Sequence, residues 1–235
     1  MYKYVKRVAD FIFALLALIF SSWIMLLCVL AIKLEESSAP VMYNAPRIGR
    51  NGKPFVLYKF RTMRPAFTGK AMEPANLSSV GALLRKFSLD ELPQLINVLK
   101  GDMSIIGPRP LLLRYYPWYT VEENKRHQVL PGITGYAQVN GRVRVQWPER
   151  FMMDVYYVEH LSFRLDIRIV CATIKKVLGR ADVLPPESEP TVGLFDEFRR
   201  KQIQDGIISS DMLANMAVDS GYSFEMSIEE TNHVV

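Results

Sequence analysis

The sequence predicts a mainly α-helical protein with a small β-hairpin element, in which a membrane helix precedes a compact domain. Three observations support this class. Residues 11–32 form an uncharged run of 22 residues, long enough to cross a bilayer as a helix. Residues 165–178 carry apolar side chains at helical spacing and are followed by Gly179. Residues 138–143 place an Asn-Gly pair between residues that favour strands, a pattern typical of a β-hairpin.

Length and composition indicate one domain with accessory segments. Of the 235 residues 49% are apolar, the mean hydropathy is +0.06, and the apolar excess lies at the N-terminus. The two cysteines, Cys28 and Cys171, do not make a disulfide framework, which favours a reducing compartment. No small-residue cleavage site follows the apolar run, so we expect an anchor and not a removed signal peptide.

The charge is unevenly distributed along the chain. The net charge is +5, yet residues 202–235 contain six acids and no Lys or Arg. Residues 1–201 therefore hold 29 basic and 18 acidic residues, a net charge of +11. A basic body beside an apolar anchor suits anionic lipid headgroups and phosphate-bearing substrates. Nucleic acid is not expected as a partner, because no helix-turn-helix, zinc-finger or aromatic RNA-binding signature is present.

Residues 1–35 are predicted to form the membrane-embedded helix. Three basic residues precede its apolar centre: Lys3, Lys6 and Arg7. They place the N-terminus in the cytoplasm, and a full crossing would then export a basic body without disulfides. We therefore expect a re-entrant path that returns to the same face. Such a path needs a helix break, for which Ser21-Ser22 is the only candidate, since hydroxyls can bond back to the helix.

The rest of the chain shows alternating strand and helix signals. Residues 40–64 are typical of extended and turn structure around Asn51-Gly52. Helices are expected over 80–87 and 148–160, in addition to the one over 165–178. The expected domains are 1–35 for the membrane helix, 36–184 for the compact domain, and 185–235 for a linker and an acidic tail.

The carboxylate pair Asp90-Glu91 is the most informative feature for chemistry. A helix is predicted over 91–100 with Pro93 in its first turn, which puts Asp90 near the N-cap. The positive helix end and nearby arginines favour an ionised carboxylate, which suits a nucleophile or a metal ligand. The alternative is that Asp90 only caps the helix, and Ser88-x-x-Glu91 also resembles a capping box.

Several cations are placed to grip phosphate oxygens. Arg109 lies in the sequence GPRP, a stiff loop in which binding an anion loses little entropy. Lys59 and Arg61 lie two apart on one face of a strand, and Arg142 and Arg144 repeat that spacing. Solvated turns and strand faces are the alternatives. The histidines have no metal-binding spacing, and no glycine-rich phosphate loop is present.

Together these segments resemble the bacterial sugar transferase family, the monotopic phosphoglycosyl transferases, in their minimal catalytic-core form. The matching blocks are KFRTM at 59–63, SLDELPQLINVLKGDMSIIGPRP at 88–110, RH at 126–127, PGITGYAQVNGR at 131–142, DVYY at 154–157 and LD at 165–166. The resemblance extends from the N-terminus to about residue 180.

The resemblance implies an enzyme that transfers a sugar-1-phosphate from a UDP-sugar to a polyprenyl (undecaprenyl) phosphate and releases UMP. It implies Mg²⁺, and a catalytic domain on the cytoplasmic face of the bacterial inner membrane with interfacial amphipathic helices around it. Asp90 would be the nucleophile that forms an aspartyl phosphosugar, and Glu91, with Asp90, would hold the metal. The residues expected to bind substrate or phosphate are Lys59, Arg61, Arg85, Arg109, Gln138, Asn140 and Arg142.

Two segments depart from the family pattern. Ser22-Trp23 stands where the family commonly has Ser-Pro, so the proline that would break the helix is missing. Residues 75–79 lack the usual basic-polar stretch before the glycine that precedes the carboxylate pair. Two other functions stay open: a non-catalytic binding or scaffold protein of the same fold, and, from the charge alone, a basic membrane-surface module that binds anionic lipid or nucleic acid. A homodimer is compatible with the sequence.

Overall fold

The computed structural model describes residues 2–64, 76–141, 145–179 and 194–214 of the chain. Its helices are α1 (Tyr2–Glu35), α2 (Ser79–Lys86), α3 (Gln94–Lys100), α4 (Val121–Asn124), α5 (Tyr136–Asn140), α6 (Trp147–Glu159), α7 (Phe163–Gly179) and α8 (Phe195–Gln204). Its strands are β1 (Met42–Ile48), β2 (Pro54–Phe60), β3 (Ser104–Ile106) and β4 (Gly132–Thr134). The predicted class, mainly α-helical with a small antiparallel hairpin, is confirmed.

Helix α1 is the described helix that is long and apolar enough to cross a membrane. One face packs on the body, with Asp10, Ala14, Cys28 and Ile32 buried at helical spacing. The opposite face is apolar and exposed: it includes Val8, Phe13, Phe20, Trp23, Leu27 and Leu34. A helix with one face on protein and the other open to a nonpolar solvent fits the predicted membrane anchor.

Polar contacts hold α1 to the body at both ends. Near its start, the Tyr2 hydroxyl donates to Asp166 Oδ2 over 2.5 Å, and Lys6 Nζ lies 3.1 Å from the same carboxylate. At its last residue, Glu35 accepts hydrogen bonds from the backbone nitrogens of Ser79 and Val80, at 2.7 and 3.1 Å. The helix therefore follows the surface of one body along its whole length.

The helix break that re-entry requires is not found in α1. The helix is continuous from Tyr2 to Glu35, although the Ser22 hydroxyl does bond back to the Ile19 carbonyl at 2.8 Å. Without a proline at position 23, no backbone hydrogen-bond donor is lost, and a single hydroxyl contact does not interrupt the helix. The path of α1 relative to the membrane stays a prediction.

Strands β1 and β2 form the hairpin, with Met42 opposite Phe60 and Ile48 opposite Pro54. Asn51 and Gly52 both have positive φ, 57° and 75°, which matches the tight turn that hairpins prefer. The extended structure predicted for residues 40–64 is thus confirmed.

The hairpin predicted at residues 138–143 was wrong for the part that the structure describes. Residues 136–140 form helix α5, and its end uses the Asn-Gly pair. Gly141 N donates to the Ala137 carbonyl at 2.7 Å, and Asn140 Nδ2 donates to the Tyr136 carbonyl at 2.9 Å. The pair therefore closes a helix instead of reversing a strand, and residues 142–144 lie outside the described part.

Strands β3 and β4 pair in parallel, and this pairing was not predicted. Their ends approach so closely that a Cβ on Gly132 would fall on the Gly107 backbone nitrogen. Glycine is required at this contact because any side chain would separate the two strands. The loop that follows Gly107 and carries Arg109 therefore begins from a fixed point.

Helices α2, α6 and α7 agree with the predictions for residues 80–87, 148–160 and 165–178. Helix α7 buries Leu165 and Ile169 against the body and leaves a second apolar row exposed: Phe163, Ile167 and Ile174. One apolar row of α7 therefore packs on the body, and the other is an exposed apolar surface that suits a membrane interface.

Helix α8 lies in the region expected to be linker and tail, yet it packs into the core. The Phe195 ring is fully buried between Tyr115, Tyr119, Trp147 and Phe151, with ring centroids 4.8 to 5.5 Å away. Arg199 is also buried, paired with Glu123, and Ala214 N donates to the Tyr119 carbonyl at 2.9 Å. Residues 194–214 thus belong structurally to the body, and the predicted boundary at 185 lies outside the described residues.

Candidate active site

Lys59 is the centre of the candidate site. It lies near the end of β2, and its Nζ is 3.2 Å from Asp90 Oδ2 and 3.1 Å from Glu91 Oε1. Arg109 reaches the same Glu91 oxygen from the other side, with Nη2 at 3.0 Å. Four of the predicted site residues therefore converge on one cluster of two acids and two cations.

The carboxylate pair lies in a 3₁₀ turn, Leu89–Glu91, that precedes α3. Helix α3 begins at Gln94 with Pro93 at its N-cap, so the predicted helix start at 91 was three residues early. The interpretation that Asp90 caps the helix is wrong, because Pro93 is the N-cap residue of α3, and the capping box at Ser88 is not formed. Pro93 explains the shift, since a ring at the helix entrance leaves a tight turn before it.

Strained backbone positions this turn. Ser88 has φ 54° and ψ 23°, a left-handed conformation that residues other than glycine rarely adopt. Such conformations persist where the surrounding structure imposes them, and they cluster at functional sites. The reversal turns the chain from α2 towards Lys59 and places the two acids beside it.

The electrostatics keep Glu91 ionised. Burial alone would raise the pKa of Glu91, but the charges of Arg109 and Lys59 outweigh it and lower the pKa to about 2. In return Glu91 raises the pKa of Arg109. Asp90 is 5% exposed, and its Oδ1 makes no hydrogen bond or ion pair with another described residue. One oxygen of Asp90 is thus held by Lys59 while the other is open for chemistry.

The chain is similar to a protein family and to several known proteins. A model described as bacterial sugar transferase matches residues 1–180. The uncharacterized sugar transferase EpsL of Bacillus subtilis is 48% identical over 176 residues, covering 74% of this chain and 87% of the relative. The chain belongs to the bacterial sugar transferase family. The resemblance seen in the sequence, including its assignment to an enzyme family, is confirmed.

Two longer relatives have names that state a reaction. The UDP-glucose:undecaprenyl-phosphate glucose-1-phosphate transferase of Escherichia coli is 38% identical over 187 residues, covering 74% of this chain and 40% of the relative. The undecaprenyl-phosphate galactose phosphotransferase of Salmonella typhimurium is 35% identical over 198 residues, covering 76% of this chain and 41% of the relative. This bacterial sugar transferase thus spans about two fifths of these longer relatives.

A buried ion pair, which the sequence did not reveal, supports Arg109 in this sugar transferase. Arg126 donates from Nε and Nη2 to Asp154 Oδ2, at 3.0 and 2.9 Å, and both side chains are buried. Nη2 also donates to the Arg109 carbonyl at 2.7 Å. The guanidinium lies 5.6 Å from the ring centroids of Tyr119 and Phe151. Arg126 therefore fixes the backbone of the arginine that grips Glu91.

Two further arginines surround Arg109. Burial, together with the charge of Arg109, lowers the pKa of Arg47 and of Arg150. Arg47 is next to the loop, because its Cα pairs with Leu112 in an isolated bridge. The result is a region of positive potential beside Glu91, which suits an anionic ligand with several phosphate oxygens.

The remaining predicted site residues have other contacts. Arg85 Nε donates to Thr62 Oγ1 at 2.8 Å, and Arg61 Nε donates to the Pro40 carbonyl at 3.0 Å. Both amide atoms of Gln138 are buried without a hydrogen-bond partner among the described residues, and Asn140 ends α5. Arg142 lies outside the described residues. The roles of these residues in binding substrate or phosphate stay predictions.

The residues of the cluster fit a magnesium ion. Among the described residues no group of three or more His, Cys, Asp or Glu side chains is placed to hold a metal. Magnesium, however, is commonly bound by one or two carboxylates together with substrate phosphates. Asp90 Oδ2 and Glu91 Oε1 both point at the Lys59 ammonium, so the two oxygens already converge on one cation position.

Arg126, Asp154, Arg47 and Arg150 are the residues that sequence reasoning missed. Arg126 and Asp154 do lie in matched family blocks, and the available signal for a buried pair is Asp154, an acid inside the otherwise apolar run FMMDVYYV. That signal does not reveal which partner each residue has.

Proposed function

We propose that this sugar transferase moves a sugar-1-phosphate from a UDP-sugar to a polyprenyl phosphate, in two steps at Asp90. The observation that carries the proposal is the Lys59 cluster. One Asp90 oxygen is held at 3.2 Å by Lys59 and the other is unengaged, beside a carboxylate kept ionised by two cations. The names of the relatives from Escherichia coli and Salmonella typhimurium support the donor and acceptor classes.

In the first step an Asp90 oxygen attacks the phosphorus that bears the sugar. The bond from that phosphorus to the bridging oxygen breaks, and UMP leaves with the electron pair. In the second step a phosphate oxygen of the polyprenyl phosphate attacks the same phosphorus, and the Asp90 carboxylate is released unchanged. Lys59 and Arg109 balance the charge of the phosphate oxygens in both steps.

Magnesium bound by Glu91 and Asp90 would polarise the phosphate oxygens and neutralise charge on the leaving UMP. The Arg126–Asp154 pair holds the Arg109 backbone in place through both steps. Because Arg109 is half exposed, it can leave Glu91 for a phosphate without unfolding the loop.

We also propose that both ends of α1 lie on the same membrane face, with the body on the cytoplasmic side. Helix α1 has 34 residues, a length of roughly 51 Å, and it contacts the body from Tyr2 to Glu35. A crossing of a hydrocarbon core of roughly 30 Å would immerse that body in lipid. The basic first turns favour the cytoplasmic face.

The test of the reaction is UMP release across a panel of UDP-sugars, with polyprenyl phosphate and with Mg²⁺ or EDTA. We expect release with at least one donor in Mg²⁺, none in EDTA, and none from Asp90→Asn. A labelled sugar should stay on the protein when the acceptor is omitted. Failure with every donor, or full turnover by Asp90→Asn, contradicts the proposal.

The test of the topology uses single cysteines in a chain that lacks Cys28 and Cys171. Lys3→Cys and Ser38→Cys lie at the two ends of α1, both at exposed positions. A membrane-impermeant thiol reagent should label both from the same side. Labelling from opposite sides contradicts the placement.

A further inference from the structure

A small cavity lies at the N-terminal end of α1. Its volume is about 60 Å³, and it is formed by the first turns of α1, the β1–β2 turn, β3, residues 128–130 and α6. Lys59, Asp90, Glu91 and Arg109 are not among its lining residues. The cavity is therefore separate from the carboxylate pair.

Four basic residues line the cavity: Lys3, Lys6, Arg7 and Arg50. Lys6 is neutralised by Asp166 at 3.1 Å and Asp10 at 3.6 Å. Arg7 donates to the Val98 and Leu99 carbonyls, at 2.6 and 3.0 Å.

The other two cations are not neutralised. The side chains of Lys3 and Arg50 make no hydrogen bond or ion pair with another described residue. They come from α1 and from the hairpin turn, which are 47 residues apart in sequence, and they meet at one cavity. This excess of positive charge indicates an anionic ligand.

The surroundings of the cavity indicate what carries the anion. Apolar side chains continue from it along the outside of α1 and from the start of α7: Tyr4 is 79% exposed, Val8 60% and Phe163 67%. A soluble anion gains nothing from such neighbours, whereas the acyl chains of a lipid would cover them. The volume is also far below the roughly 300 Å³ that a whole small-molecule ligand needs, so only a headgroup phosphate would enter.

We propose that this cavity binds the headgroup phosphate of an anionic membrane phospholipid, through Lys3 and Arg50. The lipid's acyl chains lie against Tyr4, Val8 and Phe163. Binding fixes the depth of α1 at its N-terminal end, while the carboxylate pair is left free for its own substrates.

Native mass spectrometry of the full chain tests this proposal. The protein is purified in detergent micelles that hold equal amounts of phosphatidylglycerol and phosphatidylcholine, and retained lipids are counted in the same spectrum. We expect the wild type to retain one phosphatidylglycerol in preference. Lys3→Gln/Arg50→Gln should lower that occupancy about five- to thirtyfold, since one cation near an anionic headgroup is worth roughly fivefold.

The matched control removes two exposed cations from α8, Arg200→Gln/Lys201→Gln, and should retain phosphatidylglycerol like the wild type. The single variants Lys3→Gln and Arg50→Gln should each give a partial loss, which keeps the test valid if the double variant does not fold. Unchanged preference in all the cavity variants overturns the proposal. The wild type could instead retain both lipids equally and lose phosphatidylglycerol to millimolar inorganic phosphate. That result would overturn the proposal that a lipid supplies the phosphate.

Discussion

Two arginine–carboxylate pairs meet at one loop and differ in their access to water. The side chains of Arg109 and Glu91 are 51% and 19% exposed, whereas those of Arg126 and Asp154 are 2% and 6% exposed. In the more exposed Arg109–Glu91 pair, Glu91 also contacts Lys59. Either cation can therefore leave Glu91 and bind a ligand instead. The buried Arg126–Asp154 pair, called the sealed pair below, is closed to a ligand. It contributes to the stability of the folded protein. The same kind of ion pair can therefore support ligand binding where it is exposed, and it positions the backbone where it is buried.

Arg126→Met gives the largest expected effect on stability. It leaves the Asp154 carboxylate buried without its partner, which costs about 3–5 kcal/mol of unfolding free energy. Urea unfolding in detergent measures this loss. In Arg126→Met/Asp154→Leu most of the stability should return while UMP release stays low, because the Arg109 carbonyl still lacks its donor. If stability and UMP release both recovered, Arg126 would not be needed to position Arg109.

Phe195→Ala has the next largest expected effect, because the ring fills the aromatic core beneath the sealed pair. Removal of a fully buried Phe ring costs about 3–5 kcal/mol, and we expect the lower end. The control is Ile207→Ser, 66% exposed, which should stay within about 0.5 kcal/mol of the wild type. Equal stabilities of the two variants would mean that α8 is not part of the core.

His127 should make the sealed region sensitive to mild acid. Burial, aided by the charge of Arg126, lowers its pKa to about 2, so the folded protein keeps it neutral. Below pH 6.5 the unfolded chain binds a proton that the folded chain does not, and stability falls as pH falls. From pH 7.5 to 5.5 the expected loss is about 1.4 kcal/mol.

Unfolding measured at both pH values checks the His127 prediction. Glu91 does not interfere, because its stabilising contribution is lost only as pH falls below about 4.5 towards its folded pKa of about 2. His127→Gln should lose the pH dependence, and the exposed His160→Gln should keep it. The same slope in all three proteins would assign the effect to another group.

Lys59→Met gives a smaller expected change in stability than the two core variants, about 1–3 kcal/mol, because Asp90 loses its partner while Glu91 keeps Arg109. Turnover should nevertheless fall about 100-fold, since a cation aimed at the transferring phosphate is lost. The control Lys53→Met removes an exposed lysine from the same hairpin and should change neither stability nor turnover. Wild-type turnover by Lys59→Met would exclude Lys59 from the reaction.

Local patterns predicted much of the fold. The apolar run of α1 and the helical spacing of α6 and α7 are properties of neighbouring residues, so they could be read directly. The two Asn-Gly pairs show the limit of such reading. Asn51-Gly52 turns a hairpin because extended strands flank it on both sides, while Asn140-Gly141 ends a helix that packs against α6. The dipeptide alone does not distinguish these environments.

For the site, the resemblance to the family supplied the candidate residues but not their arrangement. Lys59, Asp90, Glu91 and Arg109 do meet, although the turn before α3 replaced the expected cap. The Arg126–Asp154 pair joins positions 28 residues apart, and nothing local to either residue names its partner. Long-range pairs of this kind depend on how helices pack, which one sequence does not reveal.

The carboxylate of Asp10 has a consequence for how the protein is made. It lies in the apolar anchor, and its hydrogen bonds come from Ser104 Oγ at 2.7 Å and Ile105 N at 3.2 Å. The ribosome makes those partners about 95 residues after Asp10. A nascent α1 that met the membrane before β3 was made would leave that carboxylate with Lys6, 3.6 Å away on the same helix, as its remaining partner among the described residues. We therefore expect α1 to settle into the bilayer only after translation has passed β3, so that insertion follows folding.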